Sequence, residues 1–269
     1  MLSAFLVTIK KTAGFRVCVD AHNAGLFPAE GRSPRLMRLS AYIQKRSDLT
    51  LVTNRDLHEQ VKRNQGRPFI LQDRIPDIPR TRPATLKGRH NILFICSYAA
   101  DEPYHLVFEA ARMLDPGVHI YVTGNYRKKN IDPGLLPANV SLTGYVPEER
   151  YVEMLNSVDA TIDLTDREGC LVCGAYESVA VEKPQILSDT RALRRYFHKG
   201  AVYTPHTAED IRDSIHALLR DCERLEREIR ELKEQRTREW EVKRSALIQL
   251  LEDMARGAAV HREAPSIGA

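Results

Sequence analysis

Two glutamates follow a predicted strand at a spacing that suits the binding of a sugar. The strand covers Asp159–Thr165, and Glu168 lies in the turn that comes after it. A predicted helix that begins near Cys173 carries the second acid, Glu177, about one turn inside. Carboxylates hold pairs of sugar hydroxyls through charge-assisted hydrogen bonds. In α/β proteins a ligand lies at the carboxyl edge of the parallel strands, where these residues are placed.

The start of the same helix suits a phosphate group. Unpaired N–H groups and the positive end of the helix dipole attract anions at such a position. Arg167 stands beside Glu168, either as a surface residue or as a clamp for a diphosphate. Glu177 also has two interpretations, as a ligand of ribose hydroxyls or as a solvated surface charge.

The elements that position these residues alternate along the chain. Alternating strands and helices of this length predict βαβ units, a parallel sheet and helices on both of its faces. The predicted strands are 15–20, 48–53, 68–71, 91–96, 118–123, 140–143, 159–165, 185–188 and 200–203. The predicted helices are 2–12, 35–45, 56–64, 104–114, 148–157 and the helix that begins near residue 173.

The composition of the 269 residues excludes several classes of protein. Hydrophobic residues make up 43%, which excludes wholesale disorder, and a net charge of +4 is too small to favour nucleic-acid binding. Five cysteines without a framework spacing predict a reduced, cytoplasmic protein. Cys170 and Cys173 form an isolated C-x-x-C pair, which fits a metal or redox site or small residues of a turn. No apolar run is long enough to span a membrane, and peripheral attachment stays open.

The last part of the chain predicts long helices. From Ala208 to about Met254 almost every residue is a helix former. A heptad seam of apolar residues is formed by Ile211, Ile215, Leu218, Cys222, Leu225, Ile229 and Leu232. It predicts either a coiled-coil dimer or a long helix across the α/β body, with a bend at the charged residues 234–239. Residues 261–269 are expected to form a tail.

The strand–turn–helix segment resembles the signature of a known enzyme family. Glu168-Gly169, Glu177, Lys183-Pro184 and Ser188 are similar to the pattern E-G-x-G-x-x-x-x-E-A-x-A-x-G-K-P-V-I-x-S. This pattern belongs to the family 4 glycosyltransferases, also named glycosyl transferases group 1, which have the GT-B fold.

Other segments resemble the same family in the same order. Residues 139–149 are similar to its N-V-x-x-x-G-x-V-P-x-E segment, and residues 158–165 to its A-D-x-x-v-x-P-S strand. Thr123-Gly124-Asn125 resembles its G-x-G turn. Residues 47–53 are similar to a strand late in its N-terminal domain.

The resemblance implies an α/β fold that is GT-B-like. Residues 81–235 would form a complete Rossmann-like parallel-sheet domain that binds a nucleotide sugar. Residues 1–80 would form a partial Rossmann-like domain on the acceptor side. Residues 236–269 would supply a long C-terminal helix that packs back toward the N-terminal part, followed by the tail.

The resemblance also implies a reaction. A hexosyl group would pass from a nucleotide diphosphate sugar, of UDP or GDP type, to the hydroxyl of a glycan, lipid or small-molecule acceptor. Such a step belongs to polysaccharide or glycoconjugate biosynthesis. The anomeric configuration would be retained, and neither a metal nor a cofactor would be required. The alternative is a non-catalytic or partner-dependent donor-binding subunit, or a fragment of a split glycosyltransferase.

The site residues that the resemblance implies lie in three segments. Glu168 would contact the donor sugar, Glu177 the ribose and Arg167 the diphosphate. The base would lie against Gly144, Tyr145 and Val146, and further donor contacts would come from Gly124, Thr165 and Gly169. His22 follows the first predicted strand, either as a second catalytic candidate beside Glu168 or as a structural residue.

Three features depart from the family pattern. Glu168 and Glu177 are nine residues apart (177 − 168), one more than in the family. Ser97–Pro103 contains no basic residue where the family has an arginine and a lysine. The first eighty residues contain fewer predicted strands than the family's N-terminal domain. We therefore expect a partner chain that completes this domain, while the heptad seam at 211–232 predicts a homodimer as the alternative.

Overall fold

A computed structural model describes residues 2–256 of the chain. The described residues divide into two compact units, residues 2–74 with 237–256, and Ile75–Arg236. The domain boundaries predicted near residues 80 and 235 stay predictions. The tail expected at 261–269 lies outside the described residues.

The first unit contains a parallel sheet with the strand order β1-β2-β3. Its strands are β1 (Cys18–Asp20), β2 (Leu49–Val52) and β3 (Pro68–Ile70), and its helices are α1 (Leu2–Ala13), α2 (Asn23–Leu26), α3 (Pro34–Arg46) and α4 (Arg55–Arg63). Side-chain caps fix two of the helix starts, since Ser33 accepts from the N–H of Leu36 and Asn54 from that of Leu57. The short helix α2 was not predicted from the sequence.

The second unit contains a parallel sheet with the order β6-β5-β4-β7-β8-β9. Its strands are β4 (His90–Phe94), β5 (Val118–Thr123), β6 (Val140–Gly144), β7 (Ala160–Asp163), β8 (Gln185–Ser188) and β9 (Ala201–Thr204). Its helices are α5 (Tyr104–Ala111), α6 (Glu148–Ser157), α7 (Cys173–Val181), α8 (Arg191–Tyr196), α9 (Ala208–Arg220) and α10 (Cys222–Ala255), the last continuing into the first unit. The predicted α/β architecture with parallel sheets is confirmed.

Both faces of the larger sheet are covered, which explains its continuous apolar strands. Ile92 and Ile162 pack on one face with α5 and α9, while Leu93 packs on the other with α6. Strands buried on both faces read as apolar runs without alternation. The sequence pattern therefore identified these strands more securely than the short strands of the first unit.

The heptad seam is buried within the second unit. Ile211, Ile215, Leu218, Leu225, Ile229 and Leu232 are all at most 2% exposed. They pack in the two apolar clusters that cover the sheet. The seam therefore packs on the α/β body, as one of the two interpretations expected, but it is divided between α9 and α10 and does not lie on one long helix. Because these six residues are buried within one chain, they are not available to a coiled coil, and a homodimer stays a prediction.

The expected position of the bend in the C-terminal helices is wrong. The helices break at Asp221, between α9 and α10, while α10 runs without interruption through residues 234–239. Charged residues such as Glu, Lys and Arg are good helix formers, so a charged segment by itself does not end a helix. No helix within residues 2–256 is long and apolar enough to cross a membrane.

Candidate active site

The connectivity of the larger sheet places a crevice between β4 and β7. From β4 the chain builds outward through β5 and β6, and then returns to add β7, β8 and β9 on the opposite side. Ligands of open α/β sheets bind at the carboxyl ends of the strands where this direction reverses. The loops that follow β4 and β7 therefore flank the candidate site.

The loop after β4 is folded around its own glutamate. The carboxylate of Glu102 accepts hydrogen bonds from the N–H groups of Ser97 and Ala99, both at 2.9 Å, and from the Ser97 hydroxyl at 2.8 Å. Tyr98 between them has a φ of +61°, an uncommon conformation for a residue with a side chain. The backbone donors of this loop are thus occupied by an internal anion.

A second carboxylate occupies the start of α7. Asp163 lies at the end of β7, is buried, and accepts hydrogen bonds from the N–H groups of Gly174 and Ala175. Gly174 is required by this contact, because a Cβ there would lie 2.5 Å from the Asp163 Oδ2. Burial, with repulsion from Glu102, raises the pKa of Asp163 well above its ordinary value. The N–H groups that we expected to be unpaired therefore have a partner.

A third carboxylate joins the loops on the two sides of the crevice. Asp101 accepts a hydrogen bond from the Thr165 hydroxyl at 2.7 Å and forms an ion pair with Arg167 at 3.1 Å. Its backbone carbonyl accepts from the N–H of Asp166 at 2.7 Å. Two residues expected in the donor site, Thr165 and Arg167, are thus brought together at the crevice, and both are held by Asp101.

Glu168 points toward the start of α8. Its Oε1 accepts from the N–H of Arg191 at 2.8 Å, and its side chain is largely exposed. Gly169 completes the turn and is partly buried. The turn therefore presents Glu168 on the β8 side of the loop, while Arg167 lies on the β4 side.

Glu177 lies inside α7 and contacts α6. It is partly buried, and its Oε2 accepts a hydrogen bond from the hydroxyl of Tyr151. Burial raises the pKa of Glu177, although the Tyr151 hydrogen bond opposes the shift. Tyr151 follows the segment Gly144–Val146 by five residues (151 − 146), so α6 connects Glu177 to that segment.

The glycines expected near the donor end two neighbouring strands. Gly144 ends β6 with a φ of +70°, and the adjacent Tyr145 is 89% exposed, with Val146 partly buried. Gly124 follows β5 with a φ of +87°, and a Cβ there would lie 2.2 Å from the carbonyl oxygen of Cys96. Only glycine allows this approach of the β5 end to the loop after β4.

A chain of hydrogen bonds that the sequence did not reveal supports the loop after β7. His206 bonds Asp166 through Nδ1 at 2.6 Å and Ser188 through Nε2 at 2.8 Å. The Ser188 hydroxyl oxygen accepts from the N–H of Thr165 at 2.8 Å. Ser188 is 1% exposed, so it is a support of the loop and not an accessible nucleophile. The sequence signal for this chain of hydrogen bonds was a polar residue at or just after the end of each of three strands. These residues are Asp166 after β7, Ser188 at the end of β8 and His206 after β9.

His22 belongs to the first unit. It precedes α2, is exposed, and lies 3.7 Å from a carboxylate oxygen of Asp20 and 4.0 Å from one of Asp73. Burial raises the pKa of Asp73, which the nearby His22 opposes. Within residues 2–256 no group of histidine, cysteine and acidic side chains is arranged to hold a metal ion.

The candidate site is therefore an acidic crevice with positioned hydrogen-bonding groups. Glu102, Asp163 and Asp101 lie in the loops and the helix start around the switch point of the sheet, and Arg167 forms an ion pair with Asp101. Such a crevice can accept hydroxyl groups directly. A diphosphate would have to displace internal carboxylates from the N–H groups and from Arg167.

Comparisons with known proteins identify the family. The family model described as Glycosyl transferases group 1 matches residues 79–235, more than half of the chain. This range contains the whole β4–β7 crevice and the Glu168–Pro184 segment. A comparison with curated protein sequences found no match.

Solved structures with a similar fold include several glycosyltransferases. Anabaena Alr3699/HepE, solved with UDP-glucose, has a TM-score of 0.75 at 10% identity, over 93% of this chain and 76% of that one. Sucrose-phosphate synthase from Thermosynechococcus elongatus has a TM-score of 0.72 at 13% identity, over 95% and 73% of the two chains. The GtfA/B complex has a TM-score of 0.58 at 15% identity, over 81% and 48%.

The similar structures show the fold of this chain, and the match to the family model shows the family to which it belongs. One complete Rossmann-like unit, a partial second one and a long C-terminal helix are the parts expected of a GT-B-like protein. The chain belongs to the Glycosyl transferases group 1 family and is a glycosyltransferase of GT-B-like fold.

Proposed function

We propose that the chain transfers a hexosyl group from a nucleotide diphosphate sugar to an acceptor hydroxyl, as a family 4 enzyme. The observation that carries this proposal is the family match over 79–235, which includes the complete crevice. The donor is proposed to be of UDP or GDP type, and HepE, a structure of similar fold, is solved with UDP-glucose. Retention of configuration and independence of metals are proposed on the family resemblance.

Glu177 is proposed to hold the ribose. Its carboxylate is partly buried and oriented by Tyr151, so little side-chain freedom would be lost when two vicinal hydroxyls bind. The base is proposed to lie against Gly144, Tyr145 and Val146, which precede the helix that carries Tyr151. Both groups of contacts belong to the second unit.

The diphosphate and the donor sugar are proposed to lie over the loop after β7. Arg167 would exchange Asp101 for the diphosphate, with Thr165, Gly169 and Gly124 lining the site. Glu168, held at the start of α8, is proposed to contact the donor sugar. The first unit, with His22, is proposed to serve the acceptor, which is a glycan, a lipid or a small molecule. All five cysteines are free, which supports a cytoplasmic setting.

Calorimetric titration with UDP-, GDP- and ADP-sugars tests the proposal. We expect one nucleotide class to bind, and Glu177→Ala to weaken its affinity roughly tenfold to a hundredfold, because a charge-assisted hydrogen bond to hydroxyls is lost. Glu109→Ala is the matched control, since Glu109 is an exposed carboxylate on α5 of the same unit. Transfer is expected to persist in the presence of a chelator.

Two results would contradict the site. If none of the sugars binds to the wild type, the donor assignment is wrong. If Glu177→Ala and Glu109→Ala have equal affinities for the bound nucleotide sugar, Glu177 does not hold the ribose.

One observation favours a second candidate, a non-catalytic or partner-dependent subunit. The anion-binding groups of the crevice are already paired with Glu102, Asp163 and Asp101. One similar structure is itself a complex, GtfA/B. On this alternative, the wild type alone turns over no donor, and Glu102→Gln raises donor affinity because it removes a negative charge from the diphosphate position. Glu109→Gln is the control. An unchanged affinity of Glu102→Gln for the donor would argue against the partner-dependent subunit.

A further inference from the structure

An arginine of α10 is buried against the end of α8. Arg236 is only 9% exposed, and a charged side chain lies at such a depth when hydrogen bonds replace its lost water. Its Nε donates to the carbonyl oxygen of Tyr196 at 2.9 Å, and its Nη2 donates to the carbonyl oxygens of Arg195, at 3.3 Å, and of Tyr196. The guanidinium also lies over the Tyr196 ring, with Cζ 4.3 Å from the ring centroid. Arg236 therefore binds the last turn of α8.

These contacts supply what the end of α8 lacks. The last carbonyl groups of a helix have no partner within the helix, and a cation there also complements the negative end of the helix dipole. α8 has only six residues, too few for a helix to be stable without tertiary contacts. Leu193 and Tyr196 pack its apolar side in the core, but apolar packing is non-directional. The position of α8 along its own axis therefore depends on the polar contacts at its ends.

The opposite end of α8 holds Glu168. The N–H of Arg191, the first residue of the helix, donates to Glu168 Oε1 at 2.8 Å. The Glu168 side chain is 57% exposed, so this hydrogen bond contributes more to its direction than packing does. A helix of this length rises only about 9 Å, so the groups bound to Arg236 and to Glu168 belong to one short, stiff element. A shift of α8 along its axis moves the N–H that holds Glu168 by the same distance.

We propose that Arg236 is a positioning residue for the donor sugar, because it fixes α8 and α8 fixes the carboxylate of Glu168. The inference rests on the proposed function, in which Glu168 contacts the donor sugar. A misplacement of about 1 Å in such an oriented contact is enough to cost up to about a hundredfold. The nucleoside diphosphate is assigned to Arg167, Glu177 and Gly144–Val146, so its affinity should not depend on Arg236.

Calorimetric titration of the full chain with a nucleotide sugar and with its nucleoside diphosphate tests the inference. The ratio of the two affinities reports the contribution of the sugar. We expect Arg236→Gln to lower this ratio roughly tenfold, the value of one charge-assisted hydrogen bond, without a change in the affinity for the nucleoside diphosphate. Arg236→Lys should restore part of the ratio, because it keeps a cation at the helix end but not the planar fork. Arg230→Gln is the matched control, since Arg230 is an exposed arginine of the same helix.

A double variant identifies the route of the effect. In the Glu168→Ala background, Arg236→Gln should cause no further loss in the ratio, because both changes act through one carboxylate. Amide hydrogen exchange of the ligand-free chain supplies a second readout. The N–H of Arg191 should exchange faster in Arg236→Gln than in the wild type, and at the wild-type rate in Arg230→Gln.

Three outcomes would overturn the inference. They are equal ratios in Arg236→Gln and Arg230→Gln, equal losses of affinity for the nucleotide sugar and the nucleoside diphosphate in Arg236→Gln, and a loss in the double variant that is the product of the two single losses. If the wild type binds no nucleotide sugar, the proposed function is wrong, and this inference fails with it. Thermal melts verify that each variant is folded. If Arg236→Gln does not fold, Arg236→Lys replaces it, with a smaller loss expected in the same ratio.

Discussion

Asp163 gives the crevice a pH dependence. Burial raises its pKa, so the protonated form contributes stability that is complete below the unfolded value of about 4 and is lost as the pH rises toward the folded value. Asn cannot ionise, and its Oδ1 can still accept from the start of α7. We therefore expect Asp163→Asn to have a higher melting temperature than the wild type, by about 2–4 °C for each kcal/mol added to the free energy of unfolding. The advantage should grow from about pH 5 to about pH 8.

The control is a solvent-exposed aspartate that also accepts a hydrogen bond from a backbone N–H group. Asp132 accepts from the N–H of Gly134 at 2.8 Å and is exposed. Asp132→Asn should leave the pH dependence of the melting temperature unchanged. A constant difference between Asp163→Asn and the wild type across this range would show that the ionised form of Asp163 is not costly.

Only part of the site could be predicted residue by residue. The sequence placed Glu168 in a turn and Glu177 inside a helix, because strand, turn and helix have distinct patterns. It did not reveal Glu102 and Asp163 as internal hydrogen-bond acceptors. Their partners are backbone N–H groups, which look the same at every position of a sequence until a turn or a helix start orients them. The sequence showed that Ser97–Pro103 lacks basic residues. It did not show that the Glu102 carboxylate occupies the backbone donors of this loop.

At the scale of elements, the loop after β7 depends on groups from three strand ends. We expect His206→Ala to release this loop, because His206 bonds both Asp166 and Ser188. Loss of about 1.4 kcal/mol of hydrogen bonding makes the open loop roughly tenfold more populated. Trypsin cleavage after Arg167, followed by mass spectrometry, should accelerate by the same factor. Cleavage after the exposed Arg127 is the internal control and should keep its rate.

Two outcomes would contradict the prediction for His206→Ala. If cleavage after Arg167 and after Arg127 accelerates to the same degree, His206 stabilises the whole unit and not the loop. If neither changes, the contacts of Asp101 and Ser188 with Thr165 and Arg167 hold the loop without His206.

Element boundaries followed the strength of their local signals. The helix 148–157 and the strands 118–123 and 185–188 have the predicted bounds. The helix α8 was missed because its six residues are too few to show a period. Thr190, whose side chain accepts from the N–H of Leu193, was the signal that could have identified it.

At the scale of the whole molecule, the two units differ in the size of their cores. β4 and β7 are covered on both faces, whereas the first unit contains a three-stranded sheet whose β1 is largely exposed. We expect amide hydrogen exchange in β4 and β7 to be slower than in β1–β3 by a factor of roughly ten or more, because smaller units open with less free energy. Equal protection of both sheets would show that they unfold together.

The fold of the second unit could be predicted because each level of the sequence agreed with it. Apolar strands, glycine turns and ordered motifs all indicated one parallel sheet. The first unit was predicted less fully, since short strands such as β1 and the turn-like helix α2 carry weak patterns. The heptads alone left two partners open for the seam from Ile211 to Leu232, because the same spacing suits a neighbouring chain or the helix's own sheet.

The loop after β4 also bears on how this chain can change over evolutionary time. Glu102 alone satisfies the N–H groups of Ser97 and Ala99, while the φ of Tyr98 keeps both aimed at one point. A single codon change at Glu102 would leave these donors to a ligand without altering a strand or a helix. One mutation at Glu102 thus changes the affinity for anions while the fold stays the same, and this change is open to evolution in either direction.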